Sequence, residues 1–283
     1  MPRYYRPTSR ADALTALAEE DGRGWPLVGG TDLLVGLRHH AIEPSVIVDL
    51  KGITDLPDPI TVTDSSITVG PTLTMGQLSR HRVVRRRYPA LVEAALTVGS
   101  VAIRNRASLI GNSCNGSPAA DTVPALLVHD VLITIESLEG ERTVPLGDFF
   151  LAPRRTLCGR HELVTRIELQ RPHEGTSSAF CRLTRRRGVD LATVSVAASV
   201  DREDNVRLGL GAVGPRVLRA QFGLPLTPVD EPAVVATLDR ELGVATPISD
   251  VRGSEEYRLG MVRVLAKRAV LAAAQRREQE TPL

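Results

Sequence analysis

Apolar residues recur along this chain at two spacings, and the spacing changes wherever Gly, Pro, Asn, Asp and Ser gather. Ala11, Leu14, Leu17 and Ala18 form one stripe of a helix that Ser9 can cap and that ends near Gly22. Trp25 to Val28 and Val46 to Leu50 are short apolar runs, which predicts two buried strands. Gly29-Gly30-Thr31-Asp32 and a helical Leu33–Arg38 segment connect them. This order predicts a small α/β unit over about residues 1–55.

After the break at Leu56-Pro-Asp-Pro59 the period becomes two. Ile60-Thr-Val62 and Ile67-Thr-Val69 flank Asp64-Ser65-Ser66, a hairpin signal. Thr74 can cap a helix through Leu78, and Pro89 can open another through Leu96. Leu126 to Val128 continues apolar. Val131–Glu136 and Arg142–Leu146 read as a hairpin around Glu139-Gly140, and Leu163–Leu169 as a further strand. Arg171 to Ser178 is polar and proline-bearing, a candidate boundary. Beyond it Ala179–Leu183, Ala192–Val200 and Val206–Leu210 read as strands, then Glu231–Leu242 and Glu255–Arg276 as helices. The expected organisation is therefore residues 1–173, with subdomains of about 1–55 and 56–173, followed by an α+β domain over 174–283. Arg276–Leu283 is expected to fray.

Composition narrows the functional classes. A chain of 283 residues can bury a sizeable core, and 42% apolar with 24% charged residues is the balance of a globular protein. The net charge of +2 and the 3% aromatic content argue against a nucleic-acid partner. No apolar run reaches bilayer length, and Met1-Pro-Arg-Tyr-Tyr-Arg6 lacks the apolar core of a secretory signal, so a cytoplasmic protein with no membrane partner is expected. Cys114, Cys158 and Cys181 make no Cys-x-x-Cys pair, and His39-His40 point apart on a helix, so no metal site is expected. The histidines read as surface residues. Arg85-Arg86-Arg87 and Arg185-Arg186-Arg187 read as solvated faces, with a partner subunit or a phosphate as the other use.

Three glycine-bearing segments are candidates for ligand chemistry. Gly209-Leu-Gly211-Ala-Val-Gly214 matches the dinucleotide fingerprint, but Pro215 follows at once and prolines occupy Gln221–Pro228, where its second strand belongs. A turn after an antiparallel strand is the better reading. Gly29-Gly30-Thr31-Asp32 can bring backbone amides close to an anion; alone it is equally a tight β–α turn with Asp32 as a cap. The stretch Thr97–Asp121 reads as a polar loop between apolar segments. Gly111 leaves room for a phosphate or ribose, Ser108, Asn112 and Asn115 supply neutral donors, and Asp121 is an acceptor suited to ribose hydroxyls. That mixture fits a dinucleotide better than a simple anion.

The segments Val28-Gly-Gly-Thr-Asp-Leu33, Ile103-Arg-Asn105, Ser108-Leu-x-Gly111-Asn112 and Pro118-x-x-Asp121 resemble, in order and spacing, the FAD-binding medium subunit of molybdenum hydroxylases. These are the xanthine dehydrogenase and aerobic carbon monoxide dehydrogenase relatives. The resemblance continues through Arg142-Thr-Val-Pro145, Leu163-Val164, Ala179-Phe180-x-Arg182 and Arg186-x-x-x-Asp190-Leu-Ala192. It implies an α+β protein: the FAD-binding fold of the vanillyl-alcohol oxidase type, with two α/β subdomains, and then a C-terminal α+β domain.

The resemblance also implies a cofactor, FAD, and a distribution of roles. Leu27, Val28, Gly29, Gly30, Thr31, Asp32 and Leu33 would wrap the pyrophosphate. Ser108, Gly111, Asn112, Cys114 and Asn115 would complete that cradle, and Asp121 would hold a ribose or adjoining hydroxyl. Gly99 and Ile103 would lie near the flavin, Val164 along the adenine, and Arg182 near the cofactor where the family often has Lys. It implies partners too: a two-cluster iron–sulfur small subunit and a molybdopterin large subunit, with this chain passing electrons through FAD to NAD, oxygen or a quinone-type acceptor. No catalytic acid or base is identified. Ile110 replaces the first glycine of the family's Gly-Gly-Asn, so the loop takes another backbone path or Ile110 packs beneath it. A standalone FAD-dependent oxidase, or a protein that has lost FAD, are the other functions these residues allow.

Overall fold

The computed structural model describes residues 1–20, 22–226 and 229–280. The first unit orders β1 (Arg3–Tyr5), α1 (Arg10–Ala18), β2 (Gly24–Leu27), α2 (Leu33–Arg38) and β3 (Val46–Asp49). β3 lies between β1 and β2 and is parallel to both, as two crossover connections require. Ser9 caps α1 by accepting the Asp12 N–H at 3.1 Å. The stripe differs from the expected one: Ala13, Leu14, Ala16 and Leu17 are buried, whereas Ala11 is exposed. They close one core with Val46, Val48, Leu50 and Ile53.

The second unit opens with β4 (Ile60–Val62) and β5 (Ser66–Val69), the expected hairpin. Seven helices or helical turns follow, with strands among the last. They are α3 (Met75–Arg80), α4 (Arg82–Arg87), α5 (Pro89–Thr97), α6 (Val101–Arg104), α7 (Leu109–Cys114) and α8 (Thr122–Leu127), then β6 (Val131–Ser137), β7 (Gly140–Pro145) and α9 (Leu146–Phe149). A two-stranded ribbon of β8 (Phe150–Ala152) and β9 (Arg155–Thr156) leads to β10 (Leu163–Gln170). The five-stranded antiparallel sheet runs β4-β5-β10-β6-β7. Thr74 and Gln77 form a reciprocal capping box on α3, so that cap was legible. Thr97–Asp121 is not one loop: it holds α6 and α7, capped by Ser100 and Ser108.

The third unit is a four-stranded antiparallel meander of β11 (Ser177–Leu183), β12 (Val194–Val200), β13 (Asn205–Gly211) and β14 (Leu218–Gly223). Helices α10 (Glu231–Glu241) and α11 (Glu255–Glu280) follow, with α11 packed on β11 and β12. β14 is the strand that the proline-rich reading of 221–228 missed; it ends at Gly223, before Pro225, and Pro228 lies outside the described residues. The tail is also corrected. α11 continues through Glu280, and Arg276 anchors it by donating to the Ser178 carbonyl at 2.7 Å and pairing with Glu93. Residues 281–283 lie outside the described residues.

The units interlock. Leu163, at the start of β10, is buried in the core of the first unit, and Arg10 of α1 pairs with Glu136 of β6 at 2.7 Å. Ala197 of β12 and Val217 are buried in the core of the second unit. Gly209 and Gly211 of the fingerprint look-alike serve this packing. A Cβ on Gly209 would lie 2.1 Å from the Pro124 carbonyl oxygen of α8, and one on Gly211 would lie 3.0 Å from the Pro124 ring. These glycines let a helix lie on a sheet. Among the described residues no helix is long and apolar enough to cross a membrane.

Candidate functional site

β2 ends at Leu27, and the chain turns through Val28–Asp32 into α2. Lys51 holds the end of that strand, donating to the Val28 carbonyl at 3.1 Å and to Asp49 at 2.6 Å. Burial would raise the Asp49 pKa, but hydrogen bonds from Lys51 and Tyr4 outweigh it and keep the carboxyl below its usual range. Gly30 has φ +72, a conformation that side chains rarely adopt. Leu33 turns inward and is buried. Among the described residues no acceptor takes the backbone N–H of Gly29, Gly30, Thr31, Asp32 or Leu33. Five consecutive donors therefore border one partly exposed turn.

Gly29 is where the two sequence segments meet. A Cβ there would lie 2.1 Å from the Arg106 carbonyl oxygen, 2.7 Å from its carbon and 3.1 Å from Ala107 Cα. Only a residue without a side chain allows that backbone-on-backbone seam. The far side of the seam is itself pinned: Met75 N–H donates to the Ala107 carbonyl at 2.8 Å, and Leu109 N–H to Leu73 at 3.2 Å. A hydrogen-bonded bridge then spans the seam. Asn115 Nδ2 donates to Asp32 Oδ1 at 3.2 Å, and Arg154 Nη1 donates to Asn115 Oδ1 at 3.1 Å.

The second segment is ordered by its small residues. Gly99 has φ +49 and folds over Ile103, so closely that a Cβ would lie 2.7 Å from that side chain. Arg104 clamps the turn by donating to the Val98 and Gly99 carbonyls at 3.1 and 3.0 Å. Ser108 is buried and accepts the Gly111 N–H at 3.1 Å, so its oxygen is a helix cap. Gly111 is exposed, and a Cβ there would meet only the Ser108 hydroxyl at 2.9 Å. Asn112 Oδ1 accepts from Thr122 at 2.6 Å. Ile110 is 4% exposed, within α7 and in the core, so it packs beneath the segment and needs no left-handed backbone. Burial, with Cys158 nearby, pushes the Cys114 thiol well above its usual range, so it stays protonated.

Asp121 and Arg182 form a buried pair beside these turns. Arg182 Nε lies 3.0 Å from Asp121 Oδ1, yet neither atom has a hydrogen-bond partner, because the two are close without being aligned. Arg182 is positioned from both sides, donating to the Thr97 carbonyl at 2.8 Å and to the Asp190 carbonyl. Burial pushes the Asp121 carboxyl up to about 7, against the lowering pull of Arg182. Val164 stands apart from this cluster: it is buried in β10 opposite Ile135, in a strand that backs α7.

Residues 27–33, 99–115, Asp121 and Arg182 thus form one constellation from three distant stretches. Sequence reasoning missed Lys51, Thr122 and Arg154, which brace it. Arg154 carried no signal in a chain with 33 arginines, although it adopts φ +58 next to the Gly116 turn. His129 also departs from the surface expectation. It is buried edge-on against Tyr88, with ring centroids 5.0 Å apart, and burial pushes its pKa down to about 4.

Comparison with known proteins places this architecture. Residues 1–172 match the FAD binding domain in molybdopterin dehydrogenase, and residues 178–273 the CO dehydrogenase flavoprotein C-terminal domain. The chain is 30% identical over 279 residues to the xanthine dehydrogenase FAD-binding subunit of Escherichia coli O157:H7, covering 95% of each chain. It is 29% identical over 277 residues to the carbon monoxide dehydrogenase medium chain of Hydrogenophaga pseudoflava, covering 95% of this chain and 96% of that one. A solved carbon monoxide dehydrogenase structure from that organism superposes with a TM-score of 0.90 at 28% identity, covering 98% of each chain. The quinoline 2-oxidoreductase of Pseudomonas putida 86 superposes with a TM-score of 0.89 at 26% identity, covering 98% of each chain. The chain belongs to the FAD-binding medium subunits of the molybdenum hydroxylase family, the flavoprotein components of oxidoreductase complexes.

Proposed function

We propose that this chain holds FAD along the Gly29–Arg106 seam. It would receive electrons from a two-cluster iron–sulfur small subunit, in a complex whose large subunit carries molybdopterin, and pass them to an external acceptor. The observation that carries the reading is the seam. It unites two turns separated by more than seventy residues and lines one of them with five uncommitted N–H donors. Such a row of donors suits a pyrophosphate, whose charge is spread over several oxygens. Asp121 supports the same reading: its ion pair with Arg182 is not aligned as a hydrogen bond, which leaves Oδ1 able to accept from a cofactor hydroxyl.

In this reading residues 27–33 hold the pyrophosphate, and Ser108, Gly111, Asn112, Cys114 and Asn115 close the cradle around it. Ser108 acts by capping α7 and Asn115 by tying α7 to Asp32, so both shape the cradle more than they reach the ligand. Gly99 and Ile103 provide a close, side-chain-poor wall for the flavin ring. Asp121 takes a cofactor hydroxyl, and Arg182 supplies fixed positive charge near the cofactor. Val164 lines the adenine side from β10. Bound FAD would supply the one- and two-electron chemistry; the protein supplies position, charge and exclusion of water. Residues 1–173 then form the FAD-binding domain and 174–283 the C-terminal domain, which delivers Arg182.

The test is purification of the chain alone and co-expressed with candidate small and large subunits. Flavin absorbance with the chain alone, and reduction of that flavin only when substrate and both partners are present, is the expected result. Substrate oxidation by the chain without molybdenum or iron would overturn the subunit role. A colourless chain that cannot be reconstituted with FAD would overturn the cofactor reading.

A further inference from the structure

A cavity of about 410 Å³ opens between α4 and the connection from β10 to β11, away from the site above. Arg82, Arg86, Arg87 and Arg171 line it, with Val83 and Pro172 forming an apolar wall. β11 runs alongside α5: Ser178 Oγ accepts from Ala90 N–H, Glu93 accepts from Phe180 N–H, and Arg182 bonds Thr97. The cavity therefore lies at the Ala90 end of α5 and the Gly99–Arg182 cluster at the Thr97 end, about 13 Å away for nine helical residues.

Among the described residues Arg82 and Arg86 have no partner, while Arg87 and Arg171 each donate one N–H to a backbone carbonyl, that of Thr63 at 3.4 Å and of Asp64 at 3.3 Å, which leaves most of each fork open. Among the described residues none of the four pairs with a carboxylate, the contacts of Arg87 and Arg171 being to carbonyls. Glu174, the carboxylate at the cavity, is turned to Arg202 at 3.4 Å. Arg82 and Arg86 stand one helical turn apart and repel each other, a cost that a bound anion would relieve. The walls are fixed. Tyr88 Oη donates to the Gln170 carbonyl at 3.0 Å, and Arg171 N–H donates to Ser65 at 2.7 Å. Thr176, also in the lining, has a buried hydroxyl with no partner.

We propose that this cavity binds a small anion carrying at least two linked phosphates, such as a nucleoside diphosphate. Four guanidinium forks exceed what one phosphate can engage, and planar forks match phosphate oxygens in pairs. The volume is that of a small-molecule site, and Val83 with Pro172 offers an apolar surface for an organic group. The concave shape favours a small ligand over a flat protein surface. This proposal stands apart from the flavin reading.

The test uses the full chain saturated with FAD, so that the flavin site is closed to the probes. Calorimetric titration with pyrophosphate, ADP and orthophosphate should show saturable binding of the first two, ADP at least as tight as pyrophosphate, and orthophosphate about tenfold weaker or worse. Arg86→Gln with Arg171→Gln should weaken pyrophosphate about tenfold or more while flavin absorbance stays unchanged. Arg86→Lys should fall between, since it keeps charge and loses the fork. No saturable binding at millimolar pyrophosphate, or wild-type binding by the double variant, would overturn the site. Equal affinity for orthophosphate, or binding of an oligoglutamate but not of pyrophosphate, would overturn the ligand class. Flavin content, read on the same samples, keeps any such failure separate from that of the FAD reading.

Discussion

Gly29→Ala is the sharpest test of how the candidate site is built. The new Cβ would lie 2.1 Å from the Arg106 carbonyl oxygen, whereas ordinary contacts begin near 3.4 Å, so the seam must open by about 1.3 Å. Neither side yields by a rotamer change, because the obstacle is backbone held by the Met75–Ala107 and Leu73–Leu109 hydrogen bonds. Overpacking of this kind costs about 1–3 kcal/mol, and a backbone-on-backbone clash belongs at the upper end. Borne wholly by cofactor binding, 3 kcal/mol is about a hundredfold in Kd. Fluorescence titration of deflavinated protein with FAD measures it directly, and urea denaturation of the same sample reports any share borne by the fold. Gly260→Ala is the control. Its Cβ meets open space on α11, so it should leave FAD affinity unchanged and add up to about 1 kcal/mol of stability. Wild-type affinity and an unchanged urea midpoint for Gly29→Ala would refute the seam.

Other outcomes follow from neighbouring contacts. Asp121 is held protonated up to about 7 against an ordinary 3.8, so the folded state binds its proton more tightly than the unfolded chain does. Its contribution to stability is complete below about pH 4 and fades as pH rises through 7, a change of about 4 kcal/mol in the flavin-free protein. Asp121→Asn should flatten the pH dependence of the urea midpoint across that window; an unchanged slope would clear Asp121 of it. Asn115→Ala removes the bridge between Asp32 and Arg154, at about 1 kcal/mol, and should weaken FAD about fivefold in the same fluorescence titration. Gly209→Ala should lower the thermal midpoint by driving a Cβ into Pro124, at about 1–3 kcal/mol. Calorimetry should detect no NAD binding at that turn in either protein.

The helices and strands with a clear period were legible, and so were caps that lie within four residues of what they cap. Ser9, Thr74 and Pro89 are of this kind. The short helices between Gly99 and Asp121 were not. Their Gly, Ser and Asn residues favour turns, and tertiary contacts such as Thr74 beside Ser108 override that preference. The glycines were recognisable as special without revealing their neighbours. Gly29 faces Arg106 and Gly209 faces Pro124, and in both cases the neighbour is a backbone carbonyl that no side-chain pattern encodes. The end of α11 failed for a related reason: the polar run after Arg276 looks solvent-bound, yet Arg276 reaches Glu93 and Ser178 across the molecule.

The contact of Pro124 with Gly209 has a bearing on how such chains can be recombined. α8 begins beside Asp121 at the proposed cofactor site and lies on β13 through Pro124, so one six-residue helix belongs to both halves of the polypeptide. A chimera that joined residues 1–173 to the second half of a relative would import a different β13 surface beneath the same helix. Any side chain at the incoming position 209 would displace α8 and, with it, Asp121. The halves are therefore inherited as a matched pair, and a successful graft has to carry the glycine across with the sheet.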